Sequence, residues 1–307
     1  MKFTKHAIAI AILSTSSFVA SAANVDLYGK ANITVQSSDD GDGSFTEVKS
    51  NASRIGLKGS HELSDGLKVV YKAEFQVDMD GDSDDNITGR NQYVGLKGGF
   101  GEVLLGKNDT VLKQSQGKVD LFSDLNADIK VLWKGENRMA DSITYKSPKF
   151  SGFQLGVSYI AEDSADADDG ISASVVYGDS GLEKSKIFAS VAVDSEVKGY
   201  DTVRATVQGK LAGFTLGAIM HMQESVDTGT ETDGFMISAK YGLTKALALK
   251  AQVQTADTDG GDDKSGVTLG ADYKLAKSTK LFGFYTSFDM DTGADEDYLG
   301  VGLEYKF

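Results

Sequence analysis

From Val25 to Gln36 the chain alternates without interruption, with Val25, Leu27, Gly29, Ala31, Ile33 and Val35 on one side and Asp26, Tyr28, Lys30, Asn32, Thr34 and Gln36 on the other. A period of two held this long defines a β-strand, and one well beyond the roughly five or six residues usual in soluble domains. The pattern returns at Leu67, Val69, Tyr71, Ala73, Phe75 and Val77, at Phe153 to Tyr159, at Val203 to Gly209, at Leu247 to Val253 and at Leu299 to Phe307. Long alternating strands with one apolar face are the material of a sheet that must close or be covered. The strand around Phe282, Phe284 and Phe288 is irregular, because Thr286 shares their face and Gly283 and Tyr285 lie opposite.

The connections alternate as well. Short turns fall at Ser64 to Gly66, Gly98 to Gly101, Ser147 to Lys149, Gly178 to Gly181, Ala212-Gly213, Gly242 to Thr244 and Lys277-Ser278. Between them lie longer polar stretches at residues 37–51, 79–89, 109–137, 162–169, 195–199, 225–232, 257–264 and 291–296. Seven short and eight long connections predict sixteen strands, with both ends of the sheet on the short-turn side. That is the pattern of an all-β, antiparallel, up-and-down transmembrane barrel, with short turns on one rim and long loops on the other.

Export is expected on separate grounds. Lys2 and Lys5 precede an apolar run from Ala7 to Leu13, followed by Ala20-Ser21-Ala22. This reads as a signal peptide over residues 1–22, cleaved after 22 or 23. Its run is too short to span a bilayer, and nothing after it approaches the ~18 apolar residues that a membrane helix needs. An exported chain without a helical anchor is soluble or a closed barrel, because lipid tolerates no unpaired backbone. Loss of the two lysines would move the net charge from −14 to about −16, which argues against nucleic acid as a partner. With no cysteine present, disulfides and thiolate chemistry are excluded.

One segment breaks the rhythm. Residues 109–137 carry Leu121, Phe122, Leu125, Ile129, Val131, Leu132 and Trp133, too many apolar groups for a free linker. The segment is expected to fold into the lumen and narrow it, with Asp120, Asp124 and Asp128 across from arginines on the wall. Arginine is scarce: Arg54, Arg90, Arg138 and Arg204 are all there are, and the first three stand near strand starts flanking the segment. Being always charged and rigid, arginine suits a fixed basic wall. Pairing of each with a nearby surface acid is the other reading of the same spacing.

Val25 to Lys30 (VDLYGK), Ser53 to Gly59 (SRIGLKG), Arg90 to Lys97 (RNQYVGLK), Val103 to Lys107 (VLLGK), Ser142 to Phe150 (SITYKSPKF) and the terminal Tyr-Lys-Phe resemble the general porins of Gram-negative outer membranes. The resemblance implies a homotrimer whose third external loop forms an acid-lined constriction facing a basic cluster. By motif, Lys30, Arg54, Arg90 and Arg138 match the basic wall, and Asp120, Asp124 and Asp128 the acidic loop. The family's usual Pro-Glu-Phe-Gly-Gly core reads Ser123-Asp124-Leu125-Asn126-Ala127 here. Phe307 resembles the family's signal to the outer-membrane assembly machinery; a simple girdle aromatic is its other reading.

Other chemistry finds little material. The run from Asp78 to Asp84 suggests calcium, but Ser83 and Gly89 stand where an EF-hand needs Gly and Glu, so no metal or other cofactor is expected. Weak divalent bridging between the acidic loops and anionic lipopolysaccharide remains compatible with this composition. After the signal only His61 and His221 remain for acid–base work, and neither has a convergent Ser and acid in the sequence, so an enzyme is not expected. The expected function is passive diffusion of small hydrophilic solutes and ions, with modest cation selectivity set by acidic vestibules. A substrate-selective channel, or an adhesin or hydrolase on the same barrel, are the alternatives.

Overall fold

The computed structural model describes residues 24–307, apart from 83, 163 and 165–167. The expected signal peptide lies outside the described residues. Seventeen antiparallel segments form one sheet: β1 (Asn24–Asp39), β2 (Ser44–Ser50), β3 (Arg54–Ser64), β4 (Leu67–Val77), β5 (Ile87–Gly98), β6 (Gly101–Asp109), β7 (Arg138–Lys146), β8 (Phe153–Ile160), β9 (Gly170–Gly178), β10 (Ile187–Ser195), β11 (Tyr200–Leu211), β12 (Phe214–Ser225), β13 (Glu231–Gly242), β14 (Leu247–Thr258), β15 (Lys264–Lys274), β16 (Thr279–Asp289) and β17 (Glu296–Lys306). One edge of β1 pairs with β17, and its other edge pairs with β2 and then β3. Thus β2 and β3 are two halves of one strand, and the molecule is a closed barrel of sixteen strands.

The break between β2 and β3 is a built feature. Ala52 takes a positive φ of 50°, and the ladder is mended by side chains: the Asn32 amide donates to Ser53 Oγ at 2.9 Å, and Ser53 Oγ donates to the Asn32 carbonyl at 3.2 Å. Residues 44–50, expected in a loop, continue the strand because Thr46 to Ser50 pair in register with Ile33 to Ser37. The loop shrinks to residues 40–43.

Burial is inverted relative to a soluble protein. On β1, Thr34 is fully buried while its neighbour Val35 is 52% exposed. The buried residues of the wall are chiefly Ser, Thr, Gln, Asn and charged groups, and the exposed ones are Leu, Val, Ile, Phe and Tyr. In water this surface would be untenable; in a bilayer the exposed apolar band is the stabilised face, and the polar face lines the interior.

The connection of residues 110–137, between β6 and β7, packs against that polar face. It opens with a short helix, α1 (Val111–Ser115), whose first turn is capped by Thr110 Oγ1 accepting from the Lys113 amide at 3.2 Å. Further on, the 3-10 turn Ile129–Val131 is capped by Asp128. Ser172, Ser190, Ser238, Gln208 and Gln252 supply hydrogen bonds to backbone groups of the segment. Wall side chains therefore replace the ladder that an irregular chain lacks.

Apolar contacts fix the path. Phe122, Leu125 and Ala127 pack on Phe282, Phe284, Phe288 and Tyr298 of β16 and β17, and Val119, Ile129 and Trp133 pack on Ile219, Met236 and Ala256. The ambiguous parity of β16 is explained: its phenylalanines face inward because the segment, and not lipid, covers them. Two glycines make room. A Cβ on Gly234 would sit 2.2 Å from Trp133 Nε1, and one on Gly270 would sit 2.6 Å from the Phe122 ring.

Candidate functional site

Where the segment crosses to β1 and β3, it presents Asp124. Oδ2 of Asp124 receives Lys30 Nζ at 2.6 Å and Arg54 Nη2 at 2.6 Å. Asp124 holds a φ of 72°, a conformation that short polar residues tolerate, and its amide donates to Asp128 Oδ2 at 3.0 Å. Burial alone would raise its carboxyl, but Lys30 and Arg54 outweigh it and hold the group at about 2.

The other two wall arginines take wall or segment-base partners. Arg90 Nε donates to Glu74 at 2.9 Å and Nη1 to Gln76 at 2.9 Å, while Glu74 also accepts from Tyr28 at 2.8 Å. Arg138 Nη2 meets Asp109 at 2.9 Å, and its Nε donates to Asn91 at 2.8 Å. Arg54, Arg90 and Arg138 thus line one side of a lumen cavity of about 690 Å³, with Asp124, Asp128 and Lys130 of the segment on the other. Lys30 lies behind Asp124, 8% exposed.

The three segment acids do different things. Asp124 reaches the basic wall. Asp128 borders the cavity and accepts from the Asp124 and Lys130 amides at 3.0 Å each. Asp120, expected to face the arginines, turns into the segment instead, accepting from the Phe122 amide at 2.9 Å and the Ile129 amide at 3.2 Å. Its physical task is to tie two ends of an irregular chain together. Burial, then the nearby Asp128, push its carboxyl up to about 7, against the two amides.

Sequence spacing did not single out Glu74, Asp109 or Glu136, nor join Arg204 to the segment. Arg204, fully buried on β11, meets Glu136 at 2.6 Å and donates to the Lys134 carbonyl at 3.3 Å. Its Nε donates to His221 Nδ1 at 3.3 Å; the His221 ring stacks on Trp133 with centroids 4.9 Å apart, and Trp133 Nε1 donates to the Thr255 carbonyl at 2.7 Å. Hence the one tryptophan and the strand histidine fasten the end of the segment. The available signal was that Arg204 and His221 alternate inward on neighbouring strands.

Phe307 closes the seam, its amide donating to Gly29 at 3.2 Å and its carbonyl accepting from Gly29 at 3.0 Å.

A barrel whose polar face is inside, with a charged segment across it, narrows the field to transmembrane barrels with a constricted lumen, and the comparison with families decides among them. The model for the Gram-negative porin family matches residues 7–307. The chain is a Gram-negative porin. The family places it in the outer membrane and is one of channels, not enzymes. Among curated relatives, the major outer membrane protein P.IB of Neisseria sicca is 34% identical over 164 residues, covering 49% of this porin and 46% of the relative. P.IB of Neisseria meningitidis serogroup B is 33% identical over 163 residues, covering 48% and 47%. The match thus spans about half the length of these relatives. Among solved structures, an anion-selective porin from Comamonas acidovorans superposes with a TM-score of 0.81 at 21% identity, covering 93% of this porin and 100% of that chain. OmpT of Vibrio cholerae in its trimer form gives a TM-score of 0.73 at 18% identity, covering 93% and 100%. At such identities the likeness is one of fold.

Proposed function

We propose that this porin forms a water-filled channel for passive diffusion of small hydrophilic solutes and ions, narrowed by residues 110–137 and modestly cation-selective. The observation that carries this reading is the junction of Asp124 with Lys30 and Arg54, where a segment anchored on β12–β17 meets the opposite wall. Acids of the segment and arginines of the wall border one cavity, and opposed fixed charges in a low-dielectric-walled passage orient dipolar solutes. The arginines raise the net field less than their number suggests, because each is paired with a carboxylate: Arg54 with Asp124, Arg90 with Glu74 and Arg138 with Asp109. With the wall largely neutralised, the acidic outer connections tip the balance toward cations.

The same reading carries the remaining expectations. A homotrimer fits the trimer form of a structural neighbour. The exposed apolar band would meet lipid, the acidic rim would meet lipopolysaccharide through divalent cations, and Phe307 would serve as the signal to the assembly machinery. Residues 1–22 would be the signal removed on export.

Planar-bilayer recording tests the central claim. Under a KCl gradient, wild type should give stepwise insertions in groups of three and a zero-current potential of cation sign, and Asp124→Asn/Asp128→Asn should shift it toward anions. Absence of conductance would sink the channel. Conductance with unchanged selectivity would remove the two acids from the constriction.

A further inference from the structure

The two mouths of the barrel carry opposite fixed charge. Among the described residues of the connections 40–43, 78–82, 84–86, 161–162, 164, 168–169, 196–199, 226–230, 259–263 and 290–295, at one end, Lys198 is the single basic residue, and aspartates dominate. At the other end, that of the short turns, lysines crowd the inward face. Register sets Lys58 opposite Lys72, Lys68 opposite Lys97, Lys240 opposite Lys250 and Lys274 opposite Lys280. Each pair shares the lumen side with buried polar neighbours such as Glu74, Ser238 and Asp272.

Like charges directly opposite on one face repel, so four such pairs at one end are an electrostatic cost to the fold. Carboxylates offset only part of it. Glu74 meets Lys72 at 3.2 Å, Asp272 meets Lys250 at 3.0 Å and Lys280 at 3.4 Å, Glu304 meets Lys280 at 3.8 Å, Glu62 meets Lys68 at 3.4 Å, and Glu102 meets Lys97 at 3.6 Å. Among the described residues Lys240 and Lys274 have no side-chain hydrogen bond or ion pair, and Lys58 has only the face of Tyr28, 5.2 Å from its ring centre. The surplus at this mouth is therefore positive, and the constriction, with its paired charges, lies between the two.

We propose that the pore is electrically bipolar, negative at the long-connection mouth and positive at the short-turn mouth, and that it rectifies ionic current. The inference rests on the channel reading above. With the acidic mouth at positive potential, cations enter through the acidic end and anions through the basic end, and both accumulate between them. Reversing the potential draws each ion in through the mouth that repels it, and the middle is depleted. The effect depends on fixed charge across a lumen wider than an ion, so it is governed by screening: the Debye length is about 30 Å at 0.01 M salt and about 3 Å at 1 M.

The test is the current–voltage curve of single insertions in symmetric 10 mM and 1 M KCl, for wild type and for Lys58→Gln/Lys240→Gln/Lys274→Gln. These three lysines are chosen because their loss orphans none of the carboxylates named above, and heat-modifiable gel mobility verifies that the variant is folded. Spermine added to one side, which seeks the acidic mouth, reports orientation. Wild type should pass at least about twofold more current with the acidic mouth positive at 10 mM, a ratio near one at 1 M, and a ratio moved toward one in the variant at 10 mM. A symmetric wild-type curve at 10 mM, asymmetry that persists at 1 M, or asymmetry untouched in the folded variant would each overturn the proposal. Wild type without any conductance would instead overturn the channel reading beneath it.

Discussion

The segment of residues 110–137 has two unlike sides. Toward β12–β17 it is dry: Phe122, Ile129 and Trp133 are at most 1% exposed, and glycines stand beneath two of these rings. Toward β1–β5 it is charged and faces open lumen, with Asp124 at 23% exposure between two cations. The first side fixes where the segment lies, and the second sets what a passing solute meets. Burying one large side chain contributes about 1.5–3 kcal/mol, whereas an ion pair partly open to water gives about 1 kcal/mol or less. Position and selectivity should therefore be separable by mutation.

The largest effect is expected on the anchored side, from Arg204→Met. It would leave Glu136, a carboxyl already raised by burial against the pull of Arg204 and Lys113, without its main cation. Breaking one partner of such a pair costs about 3–5 kcal/mol. Released from the wall, the end of the segment should give larger, noisier single-channel conductance and faster proteolysis near Lys134. The double variant Arg204→Met/Glu136→Gln should recover much of the loss; no recovery would mean that Arg204 acts by packing alone.

Gly234→Val comes next, because its side chain must enter the space of the Trp133 indole. Overpacking of this kind costs about 1–3 kcal/mol. Tryptophan fluorescence should shift and conductance should rise, with selectivity changed less than size cutoff. An unchanged emission spectrum would show that the indole does not rest on that glycine.

The smallest effect belongs to the charged side and is seen through pH. The folded value of the Asp124 carboxyl, about 2, lies below its unfolded one, so its contribution is complete above that unfolded value and is lost as pH falls through about 2. The difference in zero-current potential between wild type and Asp124→Asn should hold from neutral pH down to about pH 3 and collapse only as pH approaches about 2. A difference that fades already near about pH 4, where an ordinary aspartate titrates, would mean that Lys30 and Arg54 do not hold the carboxylate.

Much of this was legible in the chain. Period-two alternation in Val25 to Gln36 depends only on neighbours in sequence, and so does the alternation of short and long connections. The long segment stood out because its apolar content is incompatible with free solvent. Partners were less legible. Asp120, Asp124 and Asp128 have the same four-residue spacing and chemistry, yet one turns inward to cap amides, one joins two strands, and one caps a turn beside the cavity. Arg204 looked remote from the segment because it lies 68 positions from Glu136 in sequence. Only the circular order of the strands brings them together.

The sequence by itself determined most of the strands and their faces, the barrel class and the segment that would enter it, because each follows from local periodicity and from the solvent on either side of a sheet; the strand of residues 44–50 and the inward face of β16 needed the tertiary structure. The tertiary structure decided which charges meet and which of them cancel. Ion pairing depends on angstrom-scale distances between groups far apart in the chain, and those distances are set by barrel closure, by register, and by the glycine berths that hold Trp133 and Phe122 in place.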